Sequence, residues 1–438
     1  MHPDPSATSA SRPRLKLKLR WLPYACVALT LLAIVFPYRG WVLLDLALGG
    51  VWLLGWLWAR SLAQGLRLSR AMRYGWAQVG DRIEERFTLV NESWLPALWF
   101  DVIDRSTLPD YQAGRASGVG AQSTASWRVQ DTCTRRGLFT LGPAQLRSGD
   151  PLGVYTLTLD LPATASIVVM PPVVALPSIE VAAGGRLREG RRTASGWTPS
   201  VSSARVRAYL PGDSARSIHW PTSAHRDELF VRLYDHAPSG DWWIILDLDR
   251  AQHAGEGQQS TLEHAVILAA SLADKGLRLG HAVGLSAYGA SPVWLPARPA
   301  EAQRWEILRA LTTITLGSRS LAEVIAQGKL PPQASSIIVI TPAVAGAWLG
   351  SLLGALRAGS AATVLLLDRS SFGGDGEPAG TLSALAEQGI AHSLVRRELL
   401  DQPSGQAGKR GQWEWRIGGT GRAIAVAEPA DEEWQALA

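Results

Sequence analysis

The stretch VRAYLPGDSARSIHW, from Val206 to Trp220, carries the side chains in this chain that are best suited to chemistry. Asp213 stands six positions before His219, and two arginines lie beside them. Aspartate and histidine at this separation can be neighbours in space, and a histidine can act as a general base. No glycine-rich oxyanion loop accompanies the pair. The stretch is therefore either part of a hydrolase-like active site or a polar clasp within the fold, with one face exposed to a partner.

A second group of polar side chains follows a continuous apolar run later in the chain. The run WWIILDLD ends in Asp247 and Asp249, and Ser286 and Thr341 stand in or after later strand-like runs. Carboxylates at i and i+2 can hold a hard cation, which prefers oxygen ligands. Ligands of parallel sheets sit beyond the carboxyl ends of the strands. These four residues are therefore predicted to share one edge of a sheet.

The patterns of several common sites are missing from the sequence. There is no GxxxxGK[ST] motif and no GxGxxG opening a helix after a strand, so nucleotide binding is unsupported. The histidines form no HxxxH pair, and Cys26 and Cys133 give neither a disulfide framework nor a paired metal spacing. The net charge of +5 is concentrated beside apolar runs, which favours a membrane over nucleic acid. We predict no cofactor and no nucleic-acid partner.

The N-terminal region predicts a membrane anchor. Residues 1–20 include five cations between Ser11 and Arg20, and two apolar runs follow at 21–36 and 41–58. Each run is slightly shorter than the about 20 residues of a spanning helix, but tryptophan and tyrosine supply interfacial anchors. A signal peptide is disfavoured because no small-x-small site closes the first run. We predict a basic cytoplasmic segment and then two transmembrane helices within residues 21–59.

The distribution of positive charge predicts the orientation of this anchor. Cations precede the first apolar run and follow the second, whereas only Arg39 lies between them. Both ends should therefore face the cytoplasm, with the bulk of the chain on that side of the cell membrane. Asp45 lies inside the second run and is either a functional intramembrane carboxylate or, as we expect, an interfacial partner of Arg39.

The remaining chain divides by its hydrophobic pattern. Residues 73–176 show short alternating runs, which predict a small antiparallel β-sandwich. Residues 177–240 hold a Gly-, Ser- and Arg-rich stretch (181–203), which is predicted to be an exposed loop, and then the polar stretch from Val206 to Trp220. In residues 241–438 strands alternate with helices, which predicts an α/β domain with a doubly wound parallel sheet.

The central stretch resembles the signature of the bacterial domain of unknown function 58 family, R-x-Y-x-P-G-D-x-x-R-x-I-x-W followed by L-x-V-R. The matching residues are Arg207, Tyr209, Pro211, Gly212, Asp213, Arg216, Ile218, Trp220, Leu229, Val231 and Arg232. The usual glutamate is Ala208, and the usual Ala-Arg pair is Ala224-His225, with Arg226 one place later. The resemblance extends to the whole architecture of anchor, sandwich, signature and α/β domain.

This resemblance implies a C-terminal domain like the von Willebrand factor A fold. In that fold a D-x-S-x-S motif, a threonine and a second aspartate bind Mg²⁺. Here the motif position reads Asp247-Leu248-Asp249-Arg250-Ala251, and Pro342 follows Thr341 where the second aspartate is expected. Asp247, Asp249 and Thr341 thus form a degenerate motif, and we expect no metal.

The resemblance also implies a partner, because this family is often encoded beside AAA+ ATPases of the MoxR type. The expectation is a non-catalytic, membrane-anchored adaptor of such an ATPase, and the alternative is a hydrolase-like enzyme using Asp213 and His219. The expected interaction residues are Arg207, Tyr209, Pro211, Gly212, Asp213, Arg216, His219, Trp220, Arg226 and Arg232.

Overall fold

A computed structural model of the chain divides into two compact units, residues 1–172 with 403–438 and residues 173–402. The residues that the structure describes are 13–72, 75–174, 176, 179–182, 184, 203–208, 220–226, 228–234, 241–327, 335–344, 346–357, 359–400, 414–417, 423–427 and 435–436.

The first unit begins with a strand and a helical hairpin. Strand β1 (Arg14–Leu17) leads into helix α1 (Trp21–Val35), and helix α2 (Arg39–Gly65) follows after a short connection. By length and composition α2 is able to cross a membrane, whereas α1 is apolar but has 15 residues. The expectation that Asp45 pairs with Arg39 is wrong, because its carboxylate accepts a hydrogen bond of 2.8 Å from the Thr30 hydroxyl on α1.

The hairpin is followed by a β-sandwich in the same unit. Its strands are β2 (Leu66–Met72), β3 (Trp76–Gln78), β4 (Arg82–Asn91), β5 (Ala97–Asp104), β6 (Arg115–Val119), β7 (Ser123–Thr132), β8 (Gly137–Leu141), β9 (Ala144–Gly149), β10 (Tyr155–Leu161) and β11 (Ala165–Met170). They form sheets of order β1-β10-β9-β5-β6 and β3-β11-β8, and a third containing β2-β4-β7. Alternating burial along β2 and β4 shows why these residues form strands with one face in the core.

The sandwich is larger than the predicted range of residues 73–176. Strands β1 and β2, which flank the hairpin, already belong to its sheets. At the other end of the chain, Gln435–Ala436 pairs antiparallel with β2, with Ala71 opposite Ala436. Residues 403–438 therefore group with this unit and not with the α/β domain, because their pairing partner lies beside the hairpin.

A small apolar cluster, which we call the joint, fixes the hairpin to the sandwich. Its buried members are Leu22 of α1, Ala59 of α2, Val154 and Tyr155. The Trp52 indole N–H on α2 donates a 2.7 Å hydrogen bond to the Tyr155 hydroxyl. Both ends of the hairpin are thereby held on one side of one domain.

The sandwich core contains a buried ionic network. The Arg70 guanidinium donates to both carboxylate oxygens of Glu85, at 2.9 and 2.7 Å, and to Asp104 Oδ1 at 2.8 Å. The Tyr111 hydroxyl donates to the same Glu85 carboxylate. Burial, reinforced by the charge of Glu85, raises the pKa of the Tyr111 phenol, which keeps it a neutral donor. Two buried carboxylates thus depend on a single guanidinium and one phenol.

The second unit has a two-stranded ribbon and a doubly wound sheet. The ribbon pairs β12 (Ser203–Ala208) with β13 (Phe230–Tyr234), and α3 (Trp220–Arg226) lies between them in sequence. The sheet strands are β14 (Trp242–Leu246), β15 (Val283–Tyr288), β16 (Pro292–Arg298), β17 (Ser336–Thr341), β18 (Ala361–Leu367) and β19 (Ala391–Val395). The helices are α4 (Thr261–Arg278), α5 (Glu301–Thr313), α6 (Leu321–Gln327), α7 (Ala347–Arg357) and α8 (Ala379–Glu387).

The sheet of the second unit has the order β16-β15-β14-β17-β18-β19 and is parallel except for β16. Strands β14 and β17 are buried throughout, as expected for strands covered on both faces. The predicted α/β class is therefore confirmed at this level. Two short strands, β20 (Glu414–Ile417) and β21 (Ala423–Ala427), pair with each other, and β22 (Gln435–Ala436) is the strand beside β2.

Part of the segment predicted to be an exposed loop is packed against the sheet. The backbone N–H of Ala182 donates to the Thr363 hydroxyl, and that of Gly184 donates to the Ser336 hydroxyl, both at 2.8 Å. A side chain at Gly184 would collide with the backbone of Ser335. Ala182 and Gly184 are thus tied to β18 and β17, while most of 185–203 lies outside the described residues.

Replacing Arg70 by methionine tests the buried network. The change leaves the carboxylates of Glu85 and Asp104 in the core without their cation, which typically costs about 3–5 kcal/mol. We expect the free energy of unfolding of the full chain in detergent, followed by tryptophan fluorescence in urea, to fall by about that amount. Arg82→Met, on the exposed start of β4, is the control and should change it by less than about 0.5 kcal/mol. Equal effects of the two changes would contradict the assignment.

Candidate functional site at the carboxyl edge of the parallel sheet

The central strands β14 and β17 lie side by side in the parallel sheet. Numbered within the sheet, these are the first and fourth strands of a 3-2-1-4-5-6 order, where the winding direction reverses. Asp247 follows β14 directly, and Thr341 ends β17. Two of the four residues predicted to share this edge, Asp247 and Thr341, therefore meet at the position where doubly wound sheets bind ligands.

The Asp247 carboxylate is committed to the protein itself. Its Oδ2 accepts a 2.6 Å hydrogen bond from the Thr341 hydroxyl, and its Oδ1 accepts from the backbone N–H of Asp249 at 3.1 Å. The side chain is 1% exposed. Burial raises the pKa of Asp247 to about 6, although the Thr341 hydrogen bond partly offsets that effect. The group is thus a locked structural acid that is partly protonated near pH 6.

Asp249 and Ser286 are placed differently from Asp247. Asp249 Oδ1 accepts from the backbone N–H of Ala251, which closes a tight turn, and its backbone bridges to Gly317. Ser286 lies inside β15, in register with Ile245, and does not follow the strand end. The prediction that Ser286 lies on the rim is therefore wrong, because the strand continues for two residues beyond it.

His253 belongs to this edge, although the sequence did not single it out. Its Nε2 lies 2.9 Å from the Asp247 carbonyl oxygen, and its Nδ1 lies 2.9 Å from the Thr261 hydroxyl. Burial lowers the pKa of His253, so the ring is neutral at pH 7. A carbonyl only accepts, which assigns the proton to Nε2 and leaves Nδ1 to accept from Thr261. The histidine ties the loop after β14 to the start of α4.

The oxygen atoms at this edge do not fit a divalent cation. The Thr341 hydroxyl donates a hydrogen bond to Asp247 and accepts one from the backbone N–H of Ala343. In both Asp247 and Asp249, one carboxylate oxygen accepts a hydrogen bond from a backbone N–H. Within the part of the chain that the structure describes, no group of three or more His, Cys, Asp or Glu residues is placed to hold a metal.

The signature residues lie on the ribbon of the second unit and its connecting segment. In the ribbon register, Val206 stands opposite Arg232 and Arg207 stands opposite Val231. Trp220 begins α3 with 65% of its surface exposed, and Arg226 ends that helix. Six of the expected interaction residues lie outside the described residues: Tyr209, Pro211, Gly212, Asp213, Arg216 and His219.

A single contact shows how α3 is held against the ribbon. The backbone N–H of Phe230, the first residue of β13, donates a 2.8 Å hydrogen bond to the buried Ser223 hydroxyl on α3. The same helix presents Trp220 and the exposed His225 outward. The described part of the signature is therefore a short helix anchored to a ribbon, with an aromatic side chain left at the surface.

Substitution of Asp247 by asparagine tests the locked acid. Because the pKa is about 6 in the folded chain and 3.8 ordinarily, ionisation of this group opposes folding. The penalty is absent below about pH 4, grows between about pH 4 and 6, and is constant above. Relative to wild type, Asp247→Asn should therefore gain up to about 3 kcal/mol of unfolding free energy between pH 4 and pH 7. Urea unfolding at several pH values measures this difference.

The control for this experiment is Asp247→Ala. It leaves the Thr341 hydroxyl and the Asp249 N–H without their acceptor, so it should destabilise the fold at every pH. A difference between the asparagine variant and wild type that does not change with pH would contradict the assignment of a raised pKa to Asp247.

Three solved structures that are similar to parts of this chain are distant likenesses. The CARDB domain of the PF1109 protein from Pyrococcus furiosus is 10% identical, with 24% of this chain and 94% of that chain covered and a TM-score of 0.18. A β-glucosidase from Listeria innocua is 9% identical over 24% of this chain and 16% of its own, with a TM-score of 0.15. A cycloisomaltooligosaccharide glucanotransferase from Paenibacillus sp. is 10% identical over 69% and 45%, with a TM-score of 0.16. These scores do not establish a shared fold.

Comparison by sequence is more specific. No curated protein matches the chain. The profile described as "Protein of unknown function DUF58" matches residues 205–341, which run from β12 to the end of β17 and include the signature, Asp247 and Thr341. The segment of this chain from β12 to β17 is thus similar to the DUF58 family.

Proposed function

We propose that this chain is a two-pass membrane protein with its bulk in the cytoplasm, and that it serves there as a non-catalytic adaptor. The joint is the observation that carries the anchoring. Strand β1 enters the hairpin and strand β2 leaves it, and both strands belong to the sandwich. A hairpin held at both ends by one water-soluble domain has to enter and leave a bilayer on the same side.

The surface of the hairpin supports insertion into lipid. Beyond the joint its apolar side chains are exposed, including Tyr24, Ile34 and Leu46. Trp21 and Trp56 mark the end near the joint, and Tyr38 and Trp41 mark the turn, as interfacial aromatic belts do. The hydrogen bond between Thr30 and Asp45 gives the polar group inside the hairpin a partner. The excess of cations at the joint end favours a cytoplasmic sandwich.

Cysteine labelling tests the two-pass topology. In a background with Cys26→Ser and Cys133→Ala, Pro37→Cys places a thiol at the hairpin turn and Arg105→Cys places one on the exposed surface of the sandwich. A membrane-impermeant maleimide should label the first in intact spheroplasts and the second only after lysis. Labelling of both thiols in intact spheroplasts, or of neither before lysis, would contradict the proposal.

The adaptor role is supported by the exposure of Trp220, the single observation that carries this part. Tryptophan and arginine are enriched at the energetic centres of interfaces, and the signature combines an exposed Trp220 with several arginines. At the sheet edge, by contrast, Asp247 is enclosed by its own fold. We propose that α3 and its ribbon form the docking surface, with a MoxR-type AAA+ ATPase as partner on the basis of the family resemblance.

We further propose that the second unit has a von Willebrand factor A-like fold. Its doubly wound order, with Asp247 and Thr341 together at the switch point, is compatible with that fold. In that interpretation the edge that binds Mg²⁺ in related folds has become a structural hydrogen-bonded pair. Recognition of the partner then depends on the signature surface and not on a bridging metal ion.

Affinity capture from solubilised membranes tests the partner. Wild type should retain a MoxR-type ATPase, and Trp220→Ala, Asp213→Ala and Arg216→Ala should each reduce recovery by more than about tenfold, the loss expected at a hot spot. Arg105→Ala removes an exposed cation of the sandwich, and recovery should stay at the wild-type level. Failure of wild type to retain the ATPase would contradict the partner, and equal recovery with all variants would contradict the surface.

A further inference from the structure

The strand that enters the hairpin has two chemically distinct faces. From Arg14 to Arg20 exposure alternates strictly, with each cation exposed and each intervening leucine partly buried. Leu15, Leu17 and Leu19 pack against the joint. The strand lies at the edge of its sheet and pairs only with β10 within the described residues. The strand thus holds Arg14 and Lys16 about 6.6 Å apart on its outward face. Lys18 and Arg20 follow it in the short connection to α1.

Acidic side chains of the sandwich do not neutralise most of these cations. Asp160 forms an ion pair with Arg14 at 3.5 Å. Glu92 forms an ion pair with Arg67 of β2, at 3.2 Å, and not with a cation of residues 14–20. The carboxylate of Asp150 is buried and accepts from three backbone N–H groups. Among the described residues, no acidic side chain forms an ion pair with the remaining cations of residues 14–20, which are Lys16, Lys18 and Arg20.

These three cations lie at the base of the hairpin. Lys18 and Leu19 both donate backbone hydrogen bonds to the Val154 carbonyl, at 2.8 and 3.3 Å, and Val154 is part of the joint. Arg20 immediately precedes α1, and the exposed Trp21 follows it. On the other helix the exposed Arg60 follows Ala59, which packs in the same cluster as Leu22. Its guanidinium lies over the Trp56 ring at 5.2 Å.

We propose that Lys16, Lys18, Arg20 and Arg60, which we call the basic collar, bind the phosphate groups of anionic phospholipids around the hairpin. The inference rests on the membrane anchoring proposed above and specifies the lipid. A lipid surface fits this collar better than a soluble polyanion does, because the cations border exposed tryptophans at the start of an apolar hairpin. Cations near an anionic leaflet each raise affinity by about fivefold. The collar therefore both orients the anchor and selects its lipids.

Native mass spectrometry of the delipidated full chain tests the collar. The protein in neutral detergent is titrated with an equimolar mixture of phosphatidylglycerol and phosphatidylcholine. We expect wild type to retain at least about tenfold more phosphatidylglycerol. The triple variant Lys16→Gln, Lys18→Gln, Arg20→Gln should lose this preference. A matched variant, Arg82→Gln, Arg105→Gln, Arg147→Gln, removes three exposed cations elsewhere on the sandwich and should keep it.

Two further arms separate folding and anchoring from lipid choice. The conservative variant Lys16→Arg, Lys18→Arg should retain the preference, which excludes misfolding as the cause of its loss. The triple glutamine variant should remain in the membrane fraction after carbonate extraction, because the apolar hairpin is unchanged. No phosphatidylglycerol preference in wild type, or an equal preference in the triple and matched variants, would overturn the collar. Extraction of wild type by carbonate would overturn the anchoring itself, and the collar with it.

Discussion

The packing of the helical hairpin against the sandwich is the constraint on which the organisation of the first unit depends. Leu22 and Ala59 come from different helices, yet both are buried against Val154 and Tyr155. Burying four such side chains contributes several kcal/mol, on the order of 1.5–3 kcal/mol for a large one. The Trp52–Tyr155 hydrogen bond fixes the rotation of α2 about its own axis, since only one rotation brings the indole N–H to the Tyr155 hydroxyl. Together they turn two apolar helices into a part of the sandwich with a defined orientation.

This arrangement also positions the strand that follows the hairpin within the sandwich. Because α2 passes directly into β2, the strand after the hairpin is delivered to the sheet in a fixed position. There Arg70 meets Glu85 from the neighbouring strand β4, and the pair is buried beside Phe87, whose ring stacks on Trp127. A buried charge network is satisfied by only one strand register, so it specifies the pairing of β2 with β4 more sharply than apolar contacts do.

Much of the fold is predictable from hydrophobic periodicity, and what failed had physical reasons. Continuous apolar runs such as WWIILDLD gave the parallel strands, and their order brought Asp247 to Thr341 as expected for a sheet edge. Arg14–Leu17 lies within the predicted basic cytoplasmic segment, because a cluster of cations before an apolar run is typical of topology signals, yet it forms a strand. Its period-2 alternation of leucine and cation was the available signal for a strand. The pairing of Ala436 with Ala71 had no such signal, since two residues are too few to show a period.

In the candidate site a carboxylate at a ligand-binding position of the sheet accepts hydrogen bonds from the protein itself. An aspartate after a central strand of a doubly wound sheet has the position of a ligand, but here its oxygens accept from Thr341 and from the backbone of Asp249. Neither interaction can be predicted from residue types alone, because the same types at the same spacing also build cation sites. His253 completes the enclosure by donating to the Asp247 carbonyl, and its neutral ring adds no charge. With these oxygens enclosed, the proposed adaptor role depends on surfaces that remain exposed, and within the described part of residues 205–341 the exposed indole of Trp220 is such a surface.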